Sequence, residues 1–383
     1  MNRLHKPIRL LIVDDSSFIR MTLKKVLSRD PEIQVLDTAQ DGLEALMKVR
    51  TLKPDVVTMD VEMPVKNGLE ALEEIMRWQP TPVIILSSVT TDGAKMTMKA
   101  FDLGAVDVIA KPSGKEGDVL ANLSDEIILK VKSAARIDPA RLGRHGFKAI
   151  PDTEKQKTPN PRLPLSPKHS EPQPEARLIS RTTNSPEHRI DIVAIGTSTG
   201  GPSALQTVLT QLPKNFSVPV IVSQHMPPGF TASLAARLNS ICEITVKEVE
   251  DGEVLRAGTV YIGQAGKQFQ VIGNNGNYTA KVTTESPIAT LYKPSVDVMF
   301  MSLAKTSGAG TLAVVMTGMG NDGLQGMKEL KAKGAYAIAE SEKSCIVYGM
   351  PRAIVEAKLA DRIELLQDIG STITACVKRR SNM

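Results

Sequence analysis

Apolar residues fall along this chain in short runs, separated by longer stretches in which they recur every three or four positions. In the first 125 residues the segments 8–13, 34–38, 55–59, 83–86 and 107–110 read as strands, with helical spacing between them. Strands alternating with helices predict a parallel, doubly wound α/β sheet. The pattern returns after residue 190, with apolar runs at 190–195, 219–224 and 311–316 that suit strands buried on both faces. The first breaks at Gly196, and a helix is expected next: Ala204, Leu205, Val208, Leu209 and Leu212 share one face, Pro202 suits a first turn, and Pro213 ends the run.

Between about Arg144 and Arg189 neither period is present. That stretch is rich in Pro, Ser, Thr, Lys and Glu; residues 148–188 contain no aromatic residue and eight of the 24 prolines. It cannot bury enough to fold and is expected to be an extended linker. It also accounts for the charge. Nine Lys/Arg against five Asp/Glu there supply +4 of the formal net +5, so the flanking parts are nearly neutral and a nucleic-acid surface is not indicated. A length of 383 residues with 42% hydrophobic and 23% charged content fits two or three globular domains. No apolar run approaches a membrane span and no signal-peptide h-region opens the chain. Cys242, Cys345 and Cys376, odd in number and scattered, suggest reduced thiols in the cytoplasm.

The chemistry-bearing residues sit where the apolar runs end. Gly196-Thr197-Ser198-Thr199-Gly200-Gly201 follows the run at 190–195. A serine on a strand-to-helix turn can be a nucleophile, and the N–H groups at such a helix start can stabilise an oxyanion. The same glycines also suit a turn that binds phosphate or merely packs, and locally the two readings stand level. No Gly-Lys-Ser/Thr follows, and the G-x-G-x-x-G register is missed, so neither common nucleotide motif is present. A serine nucleophile needs a base. Of five histidines, His5 precedes the first run, and His145, His169 and His188 lie in or beside the linker. Only His225, at the end of the run 219–224, falls in the C-terminal folded part. A carboxylate comes from Thr317-Gly318-Met319-Gly320-Asn321-Asp322-Gly323, after the third run, where Asp322 could equally cap the helix that follows. The order Ser, His, Asp is not that of α/β-hydrolases.

In the N-terminal half, Asp14 and Asp15 follow the first strand, Asp60 the third, Ser87 the fourth and Lys111 the fifth. Carboxylates brought together in this way need a cation, and hard oxygen ligands suit Mg²⁺. A hydroxyl and an ammonium complete a site for a phosphoryl group on one aspartate.

With these residues in place, residues 1–125 resemble a two-component receiver domain, flavodoxin-like with a five-stranded parallel sheet. The resemblance implies Asp60 in Val57-Thr58-Met59-Asp60-Val61-Glu62-Met63-Pro64 as phosphoacceptor. It also implies Mg²⁺ held by Asp15, Asp60 and the backbone carbonyl of Glu62 with Asp14 in support, and Ser87 and Lys111 on the phosphoryl group. Many receivers carry an aromatic switch residue three positions before the lysine; Val108 stands there. Residues 190–375 resemble the chemotaxis protein-glutamate methylesterase catalytic domain, through the segments around Ser198, His225 and Asp322, Lys293-Pro294-Ser295-Val296-Asp297, and Tyr348-Gly349-Met350-Pro351. This implies a doubly wound α/β domain with a mainly parallel sheet and a triad of Ser198, His225 and Asp322. The backbone N–H groups near Thr199 and Met319 are the expected oxyanion donors. The boundaries so read are a receiver at 1–125, a linker at 126–189, a catalytic domain at 190–375 and a tail at 376–383.

The resemblance also implies the partners: methylated chemoreceptors as substrate, a chemotaxis histidine kinase as phosphodonor, and an intramolecular interface between receiver and catalytic domain. Mg²⁺ is the receiver's cofactor; none is expected for ester hydrolysis. The expected activity is glutamate methyl ester hydrolysis in sensory adaptation. The same acyl chemistry permits deamidation of receptor glutamines. The alternatives are the same enzyme serving a non-chemotactic receptor system, or a response regulator with a binding output, which would call for a helix-turn-helix after the linker.

Overall fold

The computed structural model describes residues 6–111, 118–142, 186–274 and 276–378. Outside them lie Pro112, residues 143–185 of the expected linker, the end of the tail, and His5, His145 and His169.

The N-terminal half runs β1 (Ile8–Val13), α1 (Ser17–Leu27), β2 (Ile33–Ala39), α2 (Gly42–Leu52), β3 (Val56–Asp60), α3 (Gly68–Trp78), β4 (Val83–Ser87), α4 (Thr91–Asp102), β5 (Asp107–Ala110), α5 (Asp118–Ala134) and α6 (Pro139–Leu142). The five strands are all parallel, in the order β2-β1-β3-β4-β5. Helix starts are encoded locally. Ser16 caps α1 by accepting from Ile19 N–H, and Asn67 and Glu70 form a reciprocal capping box at α3. Helix α5 runs past residue 125, and regular structure continues to Leu142 where a linker was expected. The reason is burial: Ile127, Val131, Ala134, Ile137 and Leu142 all join the apolar core.

The C-terminal half runs β6 (Ile192–Thr197), α7 (Gly201–Leu209), β7 (Val220–Gln224), α8 (Thr231–Ile241), β8 (Thr245–Glu248), β9 (Thr259–Ile262), β10 (Gln268–Asn274), β11 (Asn277–Thr283), α9 (Val296–Thr306), β12 (Thr311–Val315), α10 (Leu324–Ala332), β13 (Tyr336–Glu340), α11 (Met350–Glu356), β14 (Arg362–Glu364) and α12 (Leu366–Lys378). Seven strands form one sheet in the order β14-β13-β12-β6-β7-β9-β8, and every pairing is parallel. The mainly parallel sheet is thus wholly parallel, with the antiparallel pair β10-β11 standing apart from it.

Alternation along β6 shows how the sheet is sandwiched. Val193 and Ile195 join the apolar cluster on one face, Ile192 and Ala194 the cluster on the other. The first cluster continues into the core of the N-terminal half. Strands β12, β6 and β7 are neighbours at the middle of the sheet, so their carboxyl ends open onto one crevice, where open α/β sheets place ligands. Among the described residues no helix is long and apolar enough to cross a membrane.

Candidate active site and phosphoacceptor pocket

Ser198 follows β6 and is partly exposed. Its turn is built by close approach. Gly200, the residue before α7, has φ +78°, a left-handed conformation that favours glycine, and a Cβ there would lie 2.7 Å from Ile346 Cβ. A Cβ on Gly318 would lie 2.8 Å from Ser198 Cβ, so the β12 turn can approach the serine only as glycine. The turn is also bonded from both sides. Ser198 N–H donates to Thr317 O (3.0 Å), and Gln224 Nε2 donates to Ser198 O (2.9 Å).

His225 follows β7, and its N–H donates to Thr197 O (3.0 Å). Its Nε2 lies 2.7 Å from Asp322 Oδ2, while Nδ1 is buried without a hydrogen-bond partner. Tyr292 stacks on the imidazole, with ring centroids 4.0 Å apart and planes 4° from parallel. Asp322 does not cap its own helix. Gly323 occupies that place without a side-chain bond, and Asp322 instead receives the start of α9: Ser295 Oγ (2.8 Å), Val296 N–H (2.7 Å) and Asp297 N–H (3.0 Å). Burial opposes its charge, but the bond and charge of His225 and the N–H groups of Asp297 and Val296 outweigh it, holding the carboxyl below its ordinary value. Asp297 goes the other way, to about 6, because burial dominates and Asp322 repels it while Gly326 N–H donates to it. The N–H groups of Thr199 and Met319 donate no hydrogen bond among the described residues. Between Ser198 Oγ and His225 there is likewise no hydrogen bond.

In the N-terminal half, oxygens of Asp14, Asp15 and Asp60 lie within 4.8 Å of one another. Lys111 Nζ sits 3.0 Å from Asp14 Oδ2 and 2.6 Å from Asp60 Oδ2, and apart from that ammonium both oxygens are buried without partners. Burial raises Asp60 to about 6; Lys111 opposes the rise and Asp14 adds to it. Buried carboxylate oxygens lacking donors are what a hard divalent cation needs, so this donor set fits Mg²⁺. Glu62 lies beside it, its N–H 3.2 Å from Asp60 Oδ1. Ser87 departs from expectation. Its hydroxyl donates to Gly93 O (3.1 Å) and Ser88 O (3.4 Å) and makes no bond to Asp60, so reaching a phosphoryl group requires rotation. Val108 is buried in β5.

The two halves meet at the serine turn. Gly200 N–H donates to Val106 O (2.9 Å), and Thr199 Oγ1 donates to Asp107 Oδ2 (2.5 Å). Lys130 Nζ holds the other oxygen of Asp107 (2.8 Å). Arg141 reaches the carbonyls of Glu342 and Cys345 (2.8 Å each), Arg237 pairs with Asp102 (2.9 Å), and Ser133 Oγ touches Met319 Sδ.

Sequence reasoning overlooked Tyr292, the cross-strand role of Gln224, and Arg20, whose guanidinium donates to the carbonyls of Asp14 (2.6 Å) and Asp15 (2.9 Å). Ser295 and Asp297 belong to the segment 293–297 that carries the family resemblance, but no role was expected of either. Stacking and cross-strand bonds leave no periodic signal in a sequence.

Two family profiles match the chain: CheB methylesterase over residues 193–373 and response regulator receiver domain over 10–123. A protein-glutamate methylesterase/protein-glutamine glutaminase of Desulfitobacterium hafniense is 54% identical over 99% of this chain and 100% of its own. One of Geobacillus kaustophilus is 45% identical over 97% and 99%. The crystal structure of the Thermotoga maritima CheB methylesterase catalytic domain, 40% identical, aligns with 49% of this chain and 99% of its own at a TM-score of 0.47.

Proposed function

The chain belongs to the CheB family of protein-glutamate methylesterases/protein-glutamine glutaminases, and from that premise we propose that it demethylates glutamate side chains of chemoreceptors with Ser198, His225 and Asp322 as its catalytic triad. The observation that carries this reading is the 2.7 Å contact of His225 Nε2 with Asp322 at the ends of β7 and β12, on either side of the strand that delivers Ser198.

Because Nε2 is engaged by Asp322, Nδ1 is the base. Ser198 Oγ attacks the ester carbonyl and its proton passes to Nδ1. The stacked Tyr292 ring and the four bonds to Asp322 hold the imidazole in one orientation as it becomes charged. Thr199 and Met319 N–H groups receive the oxyanion. Collapse expels methoxide, which leaves as methanol with the proton from His225. Water then gives its proton to the same nitrogen and its oxygen to the acyl carbon, and as the second intermediate collapses that nitrogen returns the proton to the departing Ser198 Oγ, leaving free glutamate. With glutamine, ammonia leaves instead, and the product is again glutamate.

The N-terminal half is a receiver, and receivers are phosphorylated in a Mg²⁺-dependent way. Asp60 is the proposed phosphoacceptor; Asp15, Asp60 and the Glu62 carbonyl would hold Mg²⁺ with Asp14 in support, and Lys111 and a rotated Ser87 would bind phosphoryl oxygens. The bound cation neutralises charge among these oxygens. A chemotaxis histidine kinase is the proposed phosphodonor. The bonds that Gly200 and Thr199 donate to Val106 and Asp107 support a closed state in which the receiver covers the serine turn. Phosphorylation of Asp60 shifts that equilibrium toward the open one. The boundary between receiver and linker then falls after Leu142, and the catalytic domain begins near residue 190.

The test is methanol release from methylated receptor membranes, with and without a small phosphodonor. Ser198→Ala is expected to abolish it, and Asp60→Asn to abolish only the stimulation. Full activity in Ser198→Ala rejects the assignment.

A further inference from the structure

Glu340, the last residue of β13, is completely buried, has no ion pair among the described residues, and takes no part in the chemistry above. Such a carboxylate is costly to bury, so what it bonds is informative. Its Oε2 accepts Thr317 N–H (2.8 Å) and its Oε1 accepts Ser344 Oγ–H (3.0 Å). Ser344 is fixed in turn, its hydroxyl accepting Leu366 N–H (3.0 Å).

Thr317 is the hub of the nucleophile turn. Its carbonyl accepts from Ser198 N–H (3.0 Å) and Thr197 Oγ1 (2.8 Å), and its hydroxyl donates to Thr199 O (2.9 Å) while accepting Val347 N–H (3.0 Å). Three consecutive residues centred on Ser198 are therefore held by one threonine, and the backbone of that threonine is held by one carboxylate.

We propose that Glu340 is a positioning residue for Ser198: it fixes Thr317, and Thr317 fixes the turn that carries the nucleophile. The inference rests on Ser198 being the nucleophile. It assigns Glu340 an acceptor's role, which does not require a negative charge. The surroundings agree, since burial pushes the carboxyl up to about 7 against the bonds from Thr317 and Ser344, the Cys345 thiol and the charge of Arg141 across the domain interface.

The experiment uses the full chain with phosphodonor and Mg²⁺, so that receiver docking does not mask the site. It measures kcat and KM for methanol release and the rate at which a fluorophosphonate labels Ser198. Glu340→Gln keeps an acceptor for Thr317 N–H and should stay within about threefold of the parent in both rates. Glu340→Leu removes the acceptor; labelling and kcat should fall roughly ten- to a hundredfold with KM unchanged. Should Glu340→Leu lack a cooperative melting transition, Glu340→Met, of similar length and without a carboxylate oxygen for Thr317 N–H, should show the same loss. Parental labelling rates in a folded Glu340→Leu or Glu340→Met chain overturn the proposal, as does a Glu340→Gln chain as impaired as Glu340→Leu. A parent chain that does not label at Ser198 fails the nucleophile reading itself, and the role of Glu340 with it.

Discussion

Thr199, the residue after the proposed nucleophile, donates its hydroxyl hydrogen to Asp107 of the receiver across 2.5 Å. The adjacent Gly200 N–H goes to Val106 O, so two consecutive catalytic-domain residues bond two consecutive receiver residues. Asp107 keeps Lys130 as a partner when Thr199 is changed, which makes Thr199 the cleaner site to alter. A hydrogen bond to a charged group is worth about 1.5 kcal/mol or more, close to a tenfold shift in a two-state balance. Thr199→Val should therefore raise activity without phosphodonor several-fold relative to stimulated activity of the same variant. An unchanged stimulation ratio in a methanol-release assay rejects the latch.

Asp322 is the most heavily bonded carboxylate of the site, with His225 on one oxygen and the start of α9 on both. Asp322→Asn should lower kcat by about 10³- to 10⁴-fold, because an amide can hold the imidazole in the wrong tautomer. Ser295→Ala removes one of the four bonds and should cost roughly tenfold, read in steady-state kinetics.

Glu340 also makes stability depend on pH. Burial moves its carboxyl from the ordinary 4.5 to about 7 in the folded protein. Between those values the folded state binds the extra proton, so stability falls as pH rises and levels off above 7. At ~1.4 kcal/mol per pH unit the full loss is roughly 3 kcal/mol. Glu340→Gln does not titrate, and should be more stable than the parent at pH 8 and much less so at pH 5 by urea unfolding. A difference independent of pH contradicts this.

Chelation separates the two halves. EDTA should remove phosphodonor stimulation, because the oxygens of Asp14, Asp15 and Asp60 would lose their cation, while unstimulated methanol release stays the same. A fall in both would place a metal in the ester chemistry.

The strands were legible because runs such as 83–86 and 220–222 are buried on both faces and read as continuous apolar segments. Helix α5 was not, since the strand pattern had ended and its burial is seen only against the sheet and the second domain. Ser198, His225 and Asp322 could be named because each follows an apolar run, and the scarcity of histidine left one base. What joins them was hidden. Asp322 could have been a cap for α10, and only the fold shows it receiving the start of α9 from a distant segment. Tyr292 and Glu340 act by stacking and by bonding across strands, relations between positions that no local spacing encodes.

The order β12-β6-β7 has a consequence for how activity arises during folding. His225 and Asp322 are 97 residues apart in sequence, and β12 can take its place beside β6 only after the β10-β11 pair and α9 have been made. Contacts of such long range are slow to form, because the loop must close before they are rewarded. A nascent or truncated chain ending before β12 would thus carry the proposed serine and histidine without the proposed aspartate, and is expected to show no esterase activity.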